Sequence, residues 1–98
     1  MNEIELNRAV ARAEHAQRLL DDGLLNEAFD TLEKSFIERW RATGTHDMLS
    51  RERLFQAVQI TGLVRQALTT VIGDGVVAKH DLDRIAEAEK RKRLFGFG

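Results

Sequence analysis

Apolar residues recur every three or four positions along most of the chain, the spacing that collects side chains on one face of an α-helix. The first such segment predicts a helix that is capped by Asn2 and broken at the turn sequence 21–23. Its stripe is largely alanine, so a neighbouring helix can approach closely. The stripe comprises Leu6, Val10, Ala13, Ala16 or Gln17, and Leu20.

The second segment predicts a helix with a broad apolar stripe, capped by Asp22 or Asn26. We expect it to end near Thr43 and Gly44, because glycine can take the left-handed conformation that closes a helix. Trp40 continues the stripe, which favours a core or interface anchor over a residue that stacks on a base. The stripe comprises Leu25, Ala28, Phe29, Leu32, Phe36, Ile37 and Trp40.

The third segment predicts the longest helix, from Met48 to Ile72, with Thr45 or Asp47 as its cap. Gly62 in its interior is interpreted as the mark of a close helix crossing. The helix is apolar over so much of its surface that it must contact more than one neighbour. Its main face is Leu54, Phe55, Val58, Thr61, Leu68 and Ile72, and Ile60, Val64, Ala67 and Val71 widen that face.

Gly73-Asp74-Gly75 predicts a stop, followed by a final helix over residues 79–94. Four helices with short connections favour antiparallel neighbours. The expected fold is therefore all-α, a small helical bundle built on a long antiparallel hairpin of the second and third helices, with the N- and C-terminal helices flanking it. Residues 1–94 form one domain and residues 95–98 a Gly/Phe tail. The expected core or interface anchors are Phe29, Leu32, Phe36, Trp40, Phe55, Val58 and Leu68.

Composition narrows the classes of function. The 98 residues contain no cysteine, which excludes a disulfide framework, a thiolate metal site and a cysteine nucleophile. Acids at Glu3 and Glu5 stand where a signal peptide carries bases, and no apolar run approaches the roughly 20 residues of a membrane span. We therefore expect a cytoplasmic protein with no membrane partner.

No residue pattern points to catalysis. The segment around Gly73-Asp74-Gly75 resembles half of a calcium loop but supplies too few oxygen ligands. His15, His46 and His80 lack zinc-site spacing, and neither serine lies in a nucleophile elbow. The sequence predicts no catalytic, cofactor-binding or metal-binding residue, and hence a protein that is not an enzyme.

Charge is unevenly spread: residues 1–50 carry −4 and residues 51–98 carry +3. The densest cluster of bases is Lys90–Arg93. These bases either end a solvated helix, where they compensate the helix dipole, or contact phosphate or an acidic partner. The two aromatic residues that follow either fold back onto the core or enter a groove on another chain. The candidate partner-binding residues are Lys90, Arg91, Lys92, Arg93, Phe95 and Phe97.

Several residue runs carry a resemblance: Leu19-Leu20, Leu24-Leu25, Glu27-Ala28-Phe29, Leu32-Glu33, Trp40, Arg51-Glu52-x-Leu54 and Arg91-Lys92-Arg93-x-Phe95-Gly96. Together they resemble a group of small helical proteins of tailed bacteriophages and prophages, often encoded among packaging and virion-assembly genes. Gly23 stands where that group leads us to expect a proline. The resemblance implies no catalytic or binding residue. It implies a phage context, with the protein in the host cytoplasm or associated with the virion.

The leading interpretation is a non-catalytic phage-type assembly or adaptor protein that acts through protein–protein contacts. Its apolar third helix favours a homo-oligomer, because it carries more apolar surface than one chain of this size needs. One alternative is a DNA-packaging module, similar to a small terminase subunit, that binds nucleic acid. Another is an inhibitor that binds a host defence protein or its signal molecule.

Overall fold

The computed structural model describes residues 1–96, which form three α-helices and no strand. They are α1 (Glu3–Asp21), α2 (Gly23–Ala42) and α3 (Met48–Leu94). The predicted all-α class is confirmed. The chain divides into two compact units: unit 1 comprises Met1–Gln17 and the chain from Thr69 onward, and unit 2 comprises Arg18–Leu68. Helix α3 contributes its residues up to Leu68 to unit 2 and the remainder to unit 1.

Local capping fixes where each helix begins. The side-chain Oδ1 atoms of Asn2, Asp22 and Asp47 each accept a hydrogen bond from the backbone amide three residues later, at 2.8, 2.9 and 3.2 Å. These bonds satisfy amides that have no partner within the first helical turn. The cap predicted at Asn2 is confirmed. Of the two alternatives for α2, the cap is Asp22 and not Asn26; of the two for α3, it is Asp47 and not Thr45.

A side-chain hydrogen bond, rather than a glycine in the left-handed conformation, closes the C-terminal end of helix α2. The Thr43 hydroxyl donates a hydrogen bond to the carbonyl oxygen of Trp40 at 2.6 Å, and Thr43 itself is extended, with φ −68° and ψ 142°. Among the described residues, Gly96 is the one with a positive φ. The end near Gly44 is confirmed, but the left-handed conformation proposed for that glycine is wrong.

The expected stop at Gly73-Asp74-Gly75 is wrong, because α3 runs through it without interruption. A methyl group built at Gly75 would overlap the side chain of Ala13 and lie 3.1 Å from the carbonyl oxygen of Ala9. Gly75 is thus the close helix crossing, and it serves packing rather than a turn. That role had been assigned to Gly62, but no described atom of another helix lies within 4 Å of where its Cβ would be. The separate fourth helix is accordingly the later part of α3.

In unit 1, α1 lies against the later part of α3 along the alanine-rich stripe that the sequence predicts. Leu6, Ala16 and Ala78 are buried, and Val10 and Ala13 are half-buried. Small side chains let the two backbones approach closely. Dispersion contacts between the closely packed helices then stabilise the pair, as large apolar side chains would in a wider interface. Leu6 is the one large apolar side chain among the described residues of this unit that is nearly inaccessible to solvent.

In unit 2, two contacts show how α2 and α3 run. The Arg65 guanidinium lies 2.8 Å from the Asp30 carboxylate, and Arg51 lies over the Trp40 ring at 5.4 Å. Later residues of α3 therefore contact earlier residues of α2, and the two helices are antiparallel here. The Asp30 side chain is 72% exposed and that of Arg65 32%, so solvent screens the pair, which contributes under about 1 kcal/mol and reports orientation more than stability.

The interior of unit 2 is thin. Thr61 is buried, and its hydroxyl donates to the carbonyl oxygen of Ala57 at 2.9 Å. Within Arg18–Leu68, all of which the structure describes, no apolar side chain is fully buried. The predicted anchors divide accordingly: Phe29, Phe36, Val58 and Leu68 are half-buried, whereas Leu32, Trp40 and Phe55 are exposed.

Candidate interaction surfaces

One row of α2 residues lies beside the row that contacts α3. Leu25, Phe29 and Phe36 are half-buried, and Arg65 of α3 lies 5.0 Å from the centre of the Phe29 ring. Leu24 and Ala28 each precede one of these contact residues by a single position. One residue turns an α-helix by about 100°, so this second row lies to one side of the α2–α3 contact.

Helix α3 also carries a second row of residues, one position before the row that contacts α2. Arg65 contacts α2, Thr61 and Leu68 on the same face of α3 are buried and half-buried, and an apolar residue precedes each of the three. Both helices are right-handed and they run antiparallel. The residues that precede the contact residues therefore lie on the same side of the helix pair in α2 and in α3. We call this surface the side face; it consists of Leu24, Ala28 and Leu32 on α2 and Ile60, Val64 and Ala67 on α3.

The side face is open to solvent along its whole length. Leu24 is 76% exposed and Ile60 60%, and Leu32 and Val64 are 46% and 45% exposed. A shallow groove of about 420 Å³ runs along α2, lined by Leu24, Glu27, Ala28, Thr31, Leu32 and Ser35. Contiguous exposed apolar surface of this kind marks interaction sites in soluble proteins.

Two arginines extend the side face at one end. Arg39 follows Leu32 by seven residues and Arg53 precedes Ile60 by seven, which is close to two helical turns, so both extend the side face towards the α2–α3 connection. Both arginines are exposed. Glu27 lines the groove between Leu24 and Ala28. The side face is therefore apolar along most of its length and carries two exposed arginines at the end near the α2–α3 connection.

The basic cluster Lys90–Arg93 occupies the last turn of α3 in unit 1. All four side chains are exposed, and none forms an ion pair with a described residue. Phe95 is 70% exposed, so its ring is not placed in the core. Phe97 lies outside the described residues. The bases and Phe95 are thus available together at one end of unit 1.

Sequence reasoning placed the residues of the side face other than Leu24 in apolar stripes, but it did not find the face itself. The widening row Ile60, Val64 and Ala67 was visible as apolar positions beside the main stripe of α3. Periodicity gives the direction in which a side chain points around its own helix, but it does not say whether anything covers it. The available signal was that α2 and α3 each carry apolar residues one position before their contact residues.

No helix within residues 1–96 has the length and apolar character that crossing a membrane requires. In the same part of the chain, no three histidine, aspartate or glutamate side chains come together as a metal site. No family model, curated protein or solved structure matches this chain. Function is therefore inferred from the side face and from the basic end of α3.

Proposed function

We propose that this chain is a non-catalytic, phage-type assembly or adaptor protein that acts through protein–protein contacts as a homo-oligomer. The observation that carries the proposal is the open side face. Burial of apolar surface is favourable by about 25 cal/mol per Å². Association that buries the exposed leucine, isoleucine and valine side chains of the side face is therefore favourable.

The thin interior of unit 2 supports the same conclusion. An antiparallel helix pair whose apolar side chains are at best half-buried gains little from its own packing, and small domains are marginal without further burial. Helices of a second chain would cover the side face and supply the missing core. The small helical bundle built on the α2–α3 hairpin is then a property of the assembly.

The basic end of α3 offers a second contact surface. Lys90–Arg93 can attract an acidic partner over about a Debye length, roughly 8–10 Å at moderate salt. Phe95 can then bury its ring, which offers about 150–250 Å². An adaptor needs two separate surfaces, and this chain has one on each of its compact units. The likeness to small helical phage proteins supports an assembly role, with the protein in the host cytoplasm or on the virion.

A nucleic-acid-binding packaging module is the second candidate, favoured by the exposed cluster Lys90–Arg93 and its lack of acidic partners among the described residues. Four bases make a weak phosphate site in one chain. A ring of protomers would gather several such clusters into a stronger one.

Salt dependence separates the two candidates. We expect the mass measured by light scattering to exceed 11.1 kDa and to change little as salt rises, since apolar burial is not screened. Binding of a fluorescent DNA duplex, followed by anisotropy, should be weak. The matched variant Lys92→Gln/Arg93→Gln should keep the wild-type mass. Tight DNA binding with a steep salt slope, by a protein that otherwise stays a single chain, would instead establish the packaging module.

A further inference from the structure

The end of α3 has two layers, a turn of bases and an apolar tip. Lys90–Arg93 occupy four successive positions of the last helical turn, and Leu94 and Phe95 follow them. Leu94 is 71% exposed and Phe95 70%. The Phe95 amide donates a hydrogen bond to the carbonyl oxygen of Arg91 at 3.1 Å, which continues the helical turn. Two exposed apolar side chains therefore lie directly beyond the bases.

The four bases surround the helix and do not line one side of it. Each residue turns an α-helix by about 100°, so four in a row spread over roughly 300° of the circumference. A partner that lies alongside α3, such as another helix or the groove of a nucleic-acid duplex, can reach only some of these bases. A flat anionic surface that the helix meets end-on can reach all four, because lysine and arginine side chains are long.

The bases have no competing acidic partner in the part of the chain that the structure describes. All four are exposed, and none forms an ion pair with a described residue. Glu87 and Glu89 precede Arg91 and Arg93 by four residues, the spacing of helical ion pairs, yet neither pair forms. The whole chain has a net charge of −1, so attraction to an anionic surface would come from this end and not from the protein as a whole.

We propose that the end of α3 binds the surface of an anionic lipid bilayer, with Leu94 and Phe95 among the headgroups and Lys90–Arg93 at the level of the phosphates. Side chains of an α-helix tilt towards its N-terminus, so the charged groups stay in the headgroup layer while the apolar tip enters more deeply. Apolar side chains next to a cluster of bases are the composition that binds such interfaces.

This contact differs in kind from a membrane span. The sequence-based expectation of no membrane partner rested on the lack of a spanning run, and a contact with the bilayer surface needs none. The contact also goes beyond the proposed protein–protein function and does not depend on it.

The role of the bases is tested by co-sedimentation with vesicles of phosphatidylserine and phosphatidylcholine in equal amounts, and with vesicles of phosphatidylcholine alone. The wild type should bind only the anionic vesicles, and rising salt should release it. Lys92→Gln/Arg93→Gln should bind roughly tenfold more weakly. Arg39→Gln/Arg53→Gln is the matched control, because it removes the same charge from exposed arginines of unit 2. It should bind as the wild type does.

The role of the apolar tip is tested by Leu94→Ser/Phe95→Ser, which keeps every base and should also bind roughly tenfold more weakly. Its matched control is Val76→Ser/Val77→Ser, since these exposed valines of unit 1 lie away from the tip. Phe95→Trp adds an indole at the tip, and anionic vesicles should shift its emission to the blue. The one natural tryptophan, Trp40, lies in unit 2, so the wild type should show no such shift. Circular dichroism checks that each variant remains helical.

Binding that requires anionic lipid, the bases and the apolar tip establishes the contact. The proposal is overturned by a wild type that binds neither kind of vesicle or both equally, by a tip variant that binds as the wild type does, or by equal losses in the controls. A DNA duplex that binds more tightly than the anionic vesicles overturns it in favour of the packaging module. The mass of the wild type without vesicles tests the proposed homo-oligomer separately, so the two proposals can fail independently.

Discussion

Replacing Gly73 by alanine should stabilise the protein, whereas the same substitution two residues later, at Gly75, should destabilise it. Both glycines lie inside α3, where alanine is favoured over glycine by about 0.5–1 kcal/mol. Gly73 has open space where a methyl group would lie, so that gain is realised. At Gly75 the methyl overlaps Ala13, and overpacking of this kind costs about 1–3 kcal/mol. Because both variants gain the helix propensity of alanine, we expect their free energies of unfolding to differ by the overpacking cost, about 1–3 kcal/mol.

The pair is measured by urea denaturation followed by circular dichroism at low protein concentration. Ala13→Gly should rescue Gly75→Ala in part, since it removes the methyl group that the new side chain meets, and a double-mutant cycle gives the coupling. If Gly73→Ala destabilised the protein, a turn with a left-handed glycine would replace the continuous helix. If both substitutions stabilised it equally, α1 would not cross α3 at Gly75.

The glycines show where sequence reasoning is limited. Caps at Asn2, Asp22 and Asp47 were readable because a cap depends on atoms three residues away along the chain. A glycine in a helical pattern has two physical explanations, a turn or a close approach of another backbone, and only the position of the other helix decides between them. For this reason Gly75 was assigned to a turn and Gly62 to a helix crossing, and both assignments are wrong.

The candidate surfaces show a second limit. The stripe through Phe29, Leu32 and Phe36 was identified correctly as one face of a helix, yet Leu32 is exposed while both phenylalanines are half-buried. A stripe wider than one neighbour can cover looks the same in sequence whether a second neighbour is present or absent. The basic cluster was visible as four successive bases, whereas the sequence left open whether Phe95 folds back onto the core, and the structure leaves its ring 70% exposed.

Leu6→Ala should cause the second large loss of stability. Leu6 is 2% exposed and is the largest apolar group buried between α1 and the later part of α3. Truncation of a buried leucine to alanine costs about 2–5 kcal/mol, because the transfer free energy is lost and a cavity remains. A loss of about 2–3 kcal/mol corresponds to a fall in Tm of roughly 10–20 °C for a domain of this size.

Ile4→Ala is the matched control for Leu6→Ala, since Ile4 lies on the same helix turn but is exposed. Its Tm should lie within a few degrees of the wild type, because exposed truncations usually change stability by no more than about 0.5 kcal/mol. Scanning calorimetry compares the three proteins. Equal losses for both variants would show that α1 does not pack against α3 through Leu6.

Self-association of the wild-type chain is the most direct test of the proposed function. Sedimentation equilibrium should be recorded from micromolar to submillimolar concentration in neutral buffer. The open side face predicts a weight-average mass that exceeds the single-chain value of 11.1 kDa and rises with concentration. A mass that stays at the single-chain value over the whole range would mean that the side face has no second copy to cover it, and would contradict the homo-oligomeric assembly protein proposed here.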